Sequence, residues 1–134
     1  MNVTTIRPRI LIVEDDRCIQ VLYRYLLKAR FDLELVDNVD DAIRLAAREH
    51  FDLFLLDINL GEDRTGADLL GLLRQMPAYG TTPAVACTAY AGPHYRAHFL
   101  SNGFAEHVDK PFTRPLLLGA IESVLGSRRV QGQA

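Results

Sequence analysis

Apolar residues follow two alternating rhythms along the chain. Residues 9 to 14, RILIVE, form a near-continuous apolar run that ends on a carboxylate, the pattern of a strand covered on both faces. After Asp16 the spacing turns to threes and fours. Ile19, Leu22, Tyr23, Leu26 and Leu27 share one helical face that reaches about Ala29, and Asp16 is placed to cap its first turn. DLELV, 32 to 36, alternates more clearly and predicts a strand at a sheet edge. Asn38 or Asp40 then starts a helix carrying Ala42, Ile43, Leu45, Ala46 and Ala47. FDLFLLD, 51 to 57, is a third strand and again ends on a carboxylate. After the loop INLGEDRTGAD, Leu69, Leu70, Leu72 and Leu73 predict a short helix stopped at Pro77. PAVACTA, 83 to 89, is a fourth strand. Gly92-Pro93 opens a helix with Tyr95, Ala97, Phe99 and Leu100, ended by Asn102-Gly103. FAEHV, 104 to 108, is a weaker fifth strand. A last helix runs from Thr113 to Leu125 and Gly126 ends it, which leaves SRRVQGQA as an irregular tail.

Five strands alternating strictly with five helices build an α/β fold, a doubly wound parallel sheet with helices on both faces. No linker or repeat divides the chain, so residues 9–126 read as one domain, with tails at 1–8 and 127–134. The formal net charge is −2 and the basic residues are scattered, which argues against direct nucleic-acid binding. No window approaches a membrane span, and MNVTTIRP lacks the apolar stretch of a signal peptide. The expected compartment is therefore cytoplasmic, without membrane contact. Cys18 and Cys87 have no CxxC spacing and read as two reduced, buried thiols.

Ligands of an open parallel sheet bind beyond the carboxyl ends of its strands. Those ends carry Glu14 and Asp15, then Asp57, then Thr88, and Lys110 follows the fifth strand. Three acids, a hydroxyl and an ammonium converge on one edge. A hard cation such as Mg²⁺ takes carboxylate and carbonyl oxygens. A carboxylate beside it can attack phosphorus to form an acyl phosphate. The charge on the phosphoryl oxygens then calls for a cation and hydrogen-bond donors, roles that suit Lys110 and Thr88.

ILIVEDD, LFLLDINL, ACTA and HVDKPF together resemble the response-regulator receiver domains of two-component signalling, from Arg9 to about Leu125. The resemblance implies a five-stranded (βα)5 flavodoxin-like sheet of order 2-1-3-4-5. It makes Asp57 the phosphoacceptor and Asp15 a direct metal ligand, with Glu14 acting mostly through metal-bound water and Asn59 offering its backbone carbonyl. Thr88 donates its hydroxyl to the phosphoryl group, Lys110 pairs with that group, and the Lys110–Pro111 peptide is cis. His107 stands where the family has a rotating aromatic residue. Asn59 and Tyr90 stand where access of the hydrolytic water is controlled. The implied cofactor is Mg²⁺, with Mn²⁺ as a substitute. The implied partners are a sensor histidine kinase or histidine phosphotransfer protein as donor, with a downstream effector protein or a homodimer as output. Only self-phosphorylation and self-dephosphorylation are expected as activities. Two departures fall in the loop after Asp57. Gly61 stands where the family often has proline, and the segment before Gly66 is one residue longer. Glu62 and Asp63 read as solvated loop charge or as modulators of the metal.

Several features keep open readings. His94 and His98 have metal-pair spacing but no third ligand, and read as surface histidines. Leu116, Leu117 and Leu118 exceed one helical stripe, so they form either a broad packing face or a face for a partner. The last helix lacks the basic residues of the charged receiver dimer of DNA-binding regulators. A haloacid-dehalogenase-like phosphatase would want a second acid two residues after its nucleophile, where this chain has Asn59. Met1 and the short tail favour a single-domain regulator or relay intermediate over a receiver excised from a hybrid histidine kinase. Without metal, crowding disfavours full ionisation of the acids, so Asp15→Asn is expected to weaken Mg²⁺ binding while stabilising the metal-free fold.

Overall fold

The computed structural model describes residues 7–90 and 92–132, with side chains as far as residue 126. The strands β1 (Arg9–Val13), β2 (Asp32–Val36), β3 (Leu53–Leu56), β4 (Ala84–Thr88) and β5 (Glu106–Asp109) form one parallel sheet of order β2-β1-β3-β4-β5. Between and after them run α1 (Arg17–Leu27), α2 (Val39–Arg48), α3 (Gly66–Arg74), α4 (Pro93–Ser101) and α5 (Arg114–Gly132), and a single 3-10 turn covers Pro77–Tyr79. The edge position expected for the second strand is where β2 lies. The two strand changes on either side of β1 put the turn in connectivity between β1 and β3, where ligands of such sheets bind.

Strand side chains alternate between two cores. Ile10, Ile12, Leu53, Leu55, Val85 and Cys87 pack against α1 and α5 through Tyr23, Leu27, Leu117 and Ile121. Leu11, Val13, Phe54, Leu56, Ala84 and Ala86 face α2, α3 and α4 through Val39, Ala42, Leu69 and Phe99. Burial on both faces explains why β1 and β3 carry almost no polar residue. Helix starts follow local chemistry. Asp16 accepts from the amides of Cys18 and Ile19, Asn38 from Asp41, and Thr65 forms a reciprocal capping box with Asp68.

Three readings need correction. The last helix does not end at Gly126 but continues to Gly132. Gly126 keeps ordinary helical backbone, with no positive φ, and the stretch after it holds no proline, so a residue that costs about 1 kcal/mol does not stop the helix. Residues 1–6, 133 and 134 of the two tails lie outside the described residues. Cys18 is exposed at the start of α1, so only Cys87 is a buried thiol; both are free. Burial pushes the Cys87 thiol up to about 12, which keeps it neutral. Glu62 is more than solvated charge. Its carboxylate accepts the Val39 amide at the start of α2, while Arg64 ties it to Asp40.

Candidate functional site

Backbone hydrogen bonds carry the sheet ladder one residue past the strands. Glu14 N donates to Val36 O, Asp57 N to Val13 O, and Lys110 N to Thr88 O, at 3.0, 3.0 and 2.9 Å. Each functional residue is thus fixed by the strand beside it, before any side-chain interaction is made. Asp57 is also clasped from above. Gly66 donates its amide to Ile58 O at 2.9 Å, and a Cβ at Gly66 would lie 2.2 Å from the Asp57 carbonyl oxygen. Only glycine lets α3 start this close to the end of β3.

Glu14, Asp15, Asp57, Asn59, Thr88 and Lys110 line one open cleft of about 530 Å³, together with Gly61 and Tyr90. Carboxylate oxygens of Glu14, Asp15 and Asp57 lie within 4.8 Å of one another. Lys110 Nζ donates to Glu14 Oε1 at 2.6 Å and to Asp57 Oδ2 at 3.1 Å. Glu14 is 1% exposed and its second oxygen accepts the Asp16 amide at 3.1 Å, while its carbonyl takes the Gln20 side-chain amide. Asp15 is exposed toward the cleft. Burial pushes the Glu14 carboxyl up to about 7, the Lys110 contact partly offsetting it and Asp57 adding to it. For Lys110, burial opposes the charge but Glu14 and Asp57 outweigh it and hold the ammonium above its ordinary value. Thr88 is 1% exposed and its Oγ accepts the Tyr90 amide at 3.2 Å. Asp57 Oδ1 accepts from Asn59 N, and Asn59 Oδ1 from Gly61 N. Gly61 has φ +69°, and a Cβ there would meet Asp15 Oδ2 at 3.0 Å, so glycine suits the position where proline is often found. The Lys110–Pro111 peptide is cis.

His107 is not in this cleft. It is buried beside α4, on the sheet face of its β4 neighbour Ala86, its ring 5.1 Å from Phe99 and its Nε2 3.2 Å from Asp109 Oδ1 without a hydrogen bond. It lines a groove of about 470 Å³ with Arg96, Glu106, Pro115, Leu116 and Ala120. Leu117 and Leu118 are buried whereas Leu116 is 64% exposed, which resolves the leucine triplet into two core residues and one outward one. His94 and His98 are exposed. Gln20, Gly66 and Asp109 were not singled out from the sequence. A glycine at the first position of a helix is a readable signal of close approach, and the i, i+2 spacing on a strand is a readable signal for Asp109 and His107, but nothing in the chain pairs Gln20 with Glu14.

A charged cleft with an Asp–Lys pair at the carboxyl end of a 2-1-3-4-5 sheet defines a class of phosphoryl-accepting signalling domains. The family model for the response regulator receiver domain matches residues 10–122, and the chain belongs to this family. Receiver domains of two-component response regulators are phosphoacceptors and signalling switches rather than turnover enzymes. The chain is 35% identical over 120 residues to the phosphate regulon transcriptional regulatory protein PhoB of Rhizobium meliloti, covering 88% of this chain and 52% of that protein; it thus spans about half that relative's length. It superposes on the signal receiver domain of a putative LuxO repressor protein from Vibrio parahaemolyticus with TM-score 0.84 at 26% identity, over 96% and 97% of the two chains. It also matches the receiver domain of a sensor histidine kinase from Pseudomonas aeruginosa PAO1, which has a magnesium ion coordinated in the active site cleft, with TM-score 0.80 at 27% identity over 90% and 99%.

Proposed function

We propose that this domain is a Mg²⁺-dependent phosphorylation switch with Asp57 as acceptor. The observation that carries the reading is the Asp57 carboxylate set between the Lys110 ammonium at 3.1 Å and two further carboxylates within 4.8 Å. A carboxylate oxygen of Asp57 attacks the phosphorus of a phosphohistidine, the P–N bond breaks, and the imidazole of the donor takes a proton. Donors of this kind are a sensor histidine kinase or a histidine phosphotransfer protein; a small phosphodonor serves the same chemistry.

The donor set fits a hard divalent cation: all-oxygen, acidic, and open on one side. Asp15, Asp57 and the Asn59 carbonyl would hold it directly. Glu14, with both carboxylate oxygens already accepting hydrogen bonds, would act through water. When bound, the ion supplies positive charge against the phosphoryl oxygens, a role Mn²⁺ also fills. Lys110 moves its hydrogen bonds from Glu14 and Asp57 to the phosphoryl group, and Thr88 turns its hydroxyl toward it. His107, whose ring is already buried against Phe99, then repacks behind Thr88 and alters the groove between α4, β5 and α5, where an effector protein or a second copy binds. The compartment consistent with such partners is the cytoplasm; among the described residues no helix is long and apolar enough to cross a membrane.

The test is mass measurement after incubation with Mg²⁺ and a small phosphodonor. Wild-type protein is expected to gain one acid-stable, base-labile phosphate, and Asp57→Asn none. A phosphate on Asp57→Asn would sink the acceptor assignment, and a reaction unchanged by EDTA would sink the metal.

A further inference from the structure

Tyr90 joins the phosphoryl cleft to α4. Its amide donates to Thr88 Oγ at 3.2 Å, and its side chain lines the Asp57 cleft. The ring is 46% exposed, so the cleft walls do not fix it. Its neighbour is the ring of Tyr95, with centroids 5.5 Å apart and planes tilted 33°. Tyr95 in turn stacks on Phe99 at 6.5 Å and 23°, and Phe99 is the buried residue of α4. Tyr95 itself does not line the cleft. Its direct contact with the cleft lining is through Tyr90, as a contact that selects among the staggered positions an exposed tyrosine ring can take.

We infer that Tyr95 is a positioning residue for the reaction at Asp57: by stacking on Tyr90 it holds that ring at the mouth of the cleft and so limits entry of the water that removes the phosphoryl group. This rests on Asp57 being the acceptor. In the hydrolysis, the water oxygen attacks phosphorus, the bond between phosphorus and the Asp57 carboxyl oxygen breaks, the carboxylate is restored, and both water protons leave on inorganic phosphate. Tyr90 lines the cleft that holds Asp57 with its ring partly exposed, so the ring is placed to screen the acyl phosphate, while its backbone amide stays tied to Thr88 Oγ. Freeing the ring exposes the acyl phosphate without altering the charged groups that form it.

The experiment follows decay of the phosphoprotein by mass after removal of phosphoramidate, in Mg²⁺ at fixed pH. Tyr95→Ala is expected to shorten the lifetime about two- to tenfold, the change a single aromatic contact supports. Tyr95→Phe keeps the ring and is expected to decay as wild type. Tyr90→Ala is expected to decay fast, and the Tyr90→Ala/Tyr95→Ala double variant no faster than Tyr90→Ala alone. Thermal melts of each variant separate a loss of fold from a loss of positioning, and Tyr95→Phe supplies a variant with the fold preserved. The inference is overturned if Tyr95→Ala decays at the wild-type rate, if Tyr95→Phe decays like Tyr95→Ala, or if the two alanine effects multiply. A wild-type protein that takes up no phosphate would instead overturn the acceptor reading, and this inference with it.

Discussion

At the scale of single residues, the crowded acids divide their burden unequally. Glu14 is the most deeply buried, at 1% exposed beside 6% for Asp57, and its carboxyl is the one pushed up to about 7 from an ordinary 4.5. The folded, metal-free protein therefore holds a proton that the unfolded chain has already lost between those values. Stability is greatest below about pH 4.5 on this account, and falls as pH rises toward 7, by at most about 1.4 kcal/mol per pH unit. Lys110, also raised, has the same sign but loses its contribution only above its ordinary 10.5, so it stays charged throughout this window. A thermal melt series in EDTA from pH 5 to 8 is expected to show a falling midpoint, and Glu14→Gln is expected to flatten it. Saturating Mg²⁺ supplies the missing positive charge and adds stability by mass action, about 2.7 kcal/mol at a hundredfold excess over its dissociation constant. The stabilising effect of neutralisation expected for Asp15→Asn is thereby assigned to Glu14, because Asp15 is exposed to water. A wild-type midpoint in EDTA that climbs with pH over the same range would reverse this assignment.

At the scale of elements, the seam between β3 and α3 is the least forgiving. Gly66→Ala puts a methyl group 2.2 Å from the Asp57 carbonyl, so backbone must move. Urea denaturation is expected to register a loss of about 2 kcal/mol or more, with slower phosphorylation of Asp57. Gly61→Ala, at φ +69°, is expected to cost about 1 kcal/mol and to act through Asp15. The sequence displays such elements unevenly. β1 and β3 are legible because burial on both faces leaves a continuous apolar run of strand length that ends on a carboxylate. The acids, Thr88 and Lys110 are legible because each sits one step beyond or at the end of such a run. β5 is less so: Ala105 lies before the strand and Asp109 within it, since a four-residue edge strand has too few positions to set its own bounds. The run of α5 past Gly126 escaped because a glycine is only a weak terminator when nothing after it demands a turn. The approach of Asp109 to His107 escaped because the predicted strand stops at Val108; residues two apart on a strand share a face, so a strand continued to Asp109 places the two side by side.

At the scale of the whole molecule, the helices are anchored very differently. α1, α2 and α3 begin with a side-chain cap and each buries at least two residues. α4 begins at Gly92, φ +105°, with no side-chain cap, and Phe99 is the buried residue among Pro93–Ser101. Glycine in place of a side-chain cap forgoes only a few tenths of a kcal/mol, whereas each large side chain left outside forgoes about 1.5–3 kcal/mol. The free energy needed to open α4 while the rest of the fold stays intact is accordingly small. Amide hydrogen exchange is expected to be at least about tenfold faster in α4 than in α1, under conditions where exchange follows local opening; equal protection of the two helices would refute this. Under the switch proposed above, a few kcal/mol of differential contact from a phosphoryl group is too little to remodel a well-anchored helix and enough to redistribute a poorly anchored one. The weak seating of α4 is then a matter of energetic economy: the domain keeps its stability in the sheet and in the better-anchored helices, and leaves one helix cheap to move, the element on which the proposed modification of Asp57 acts most readily.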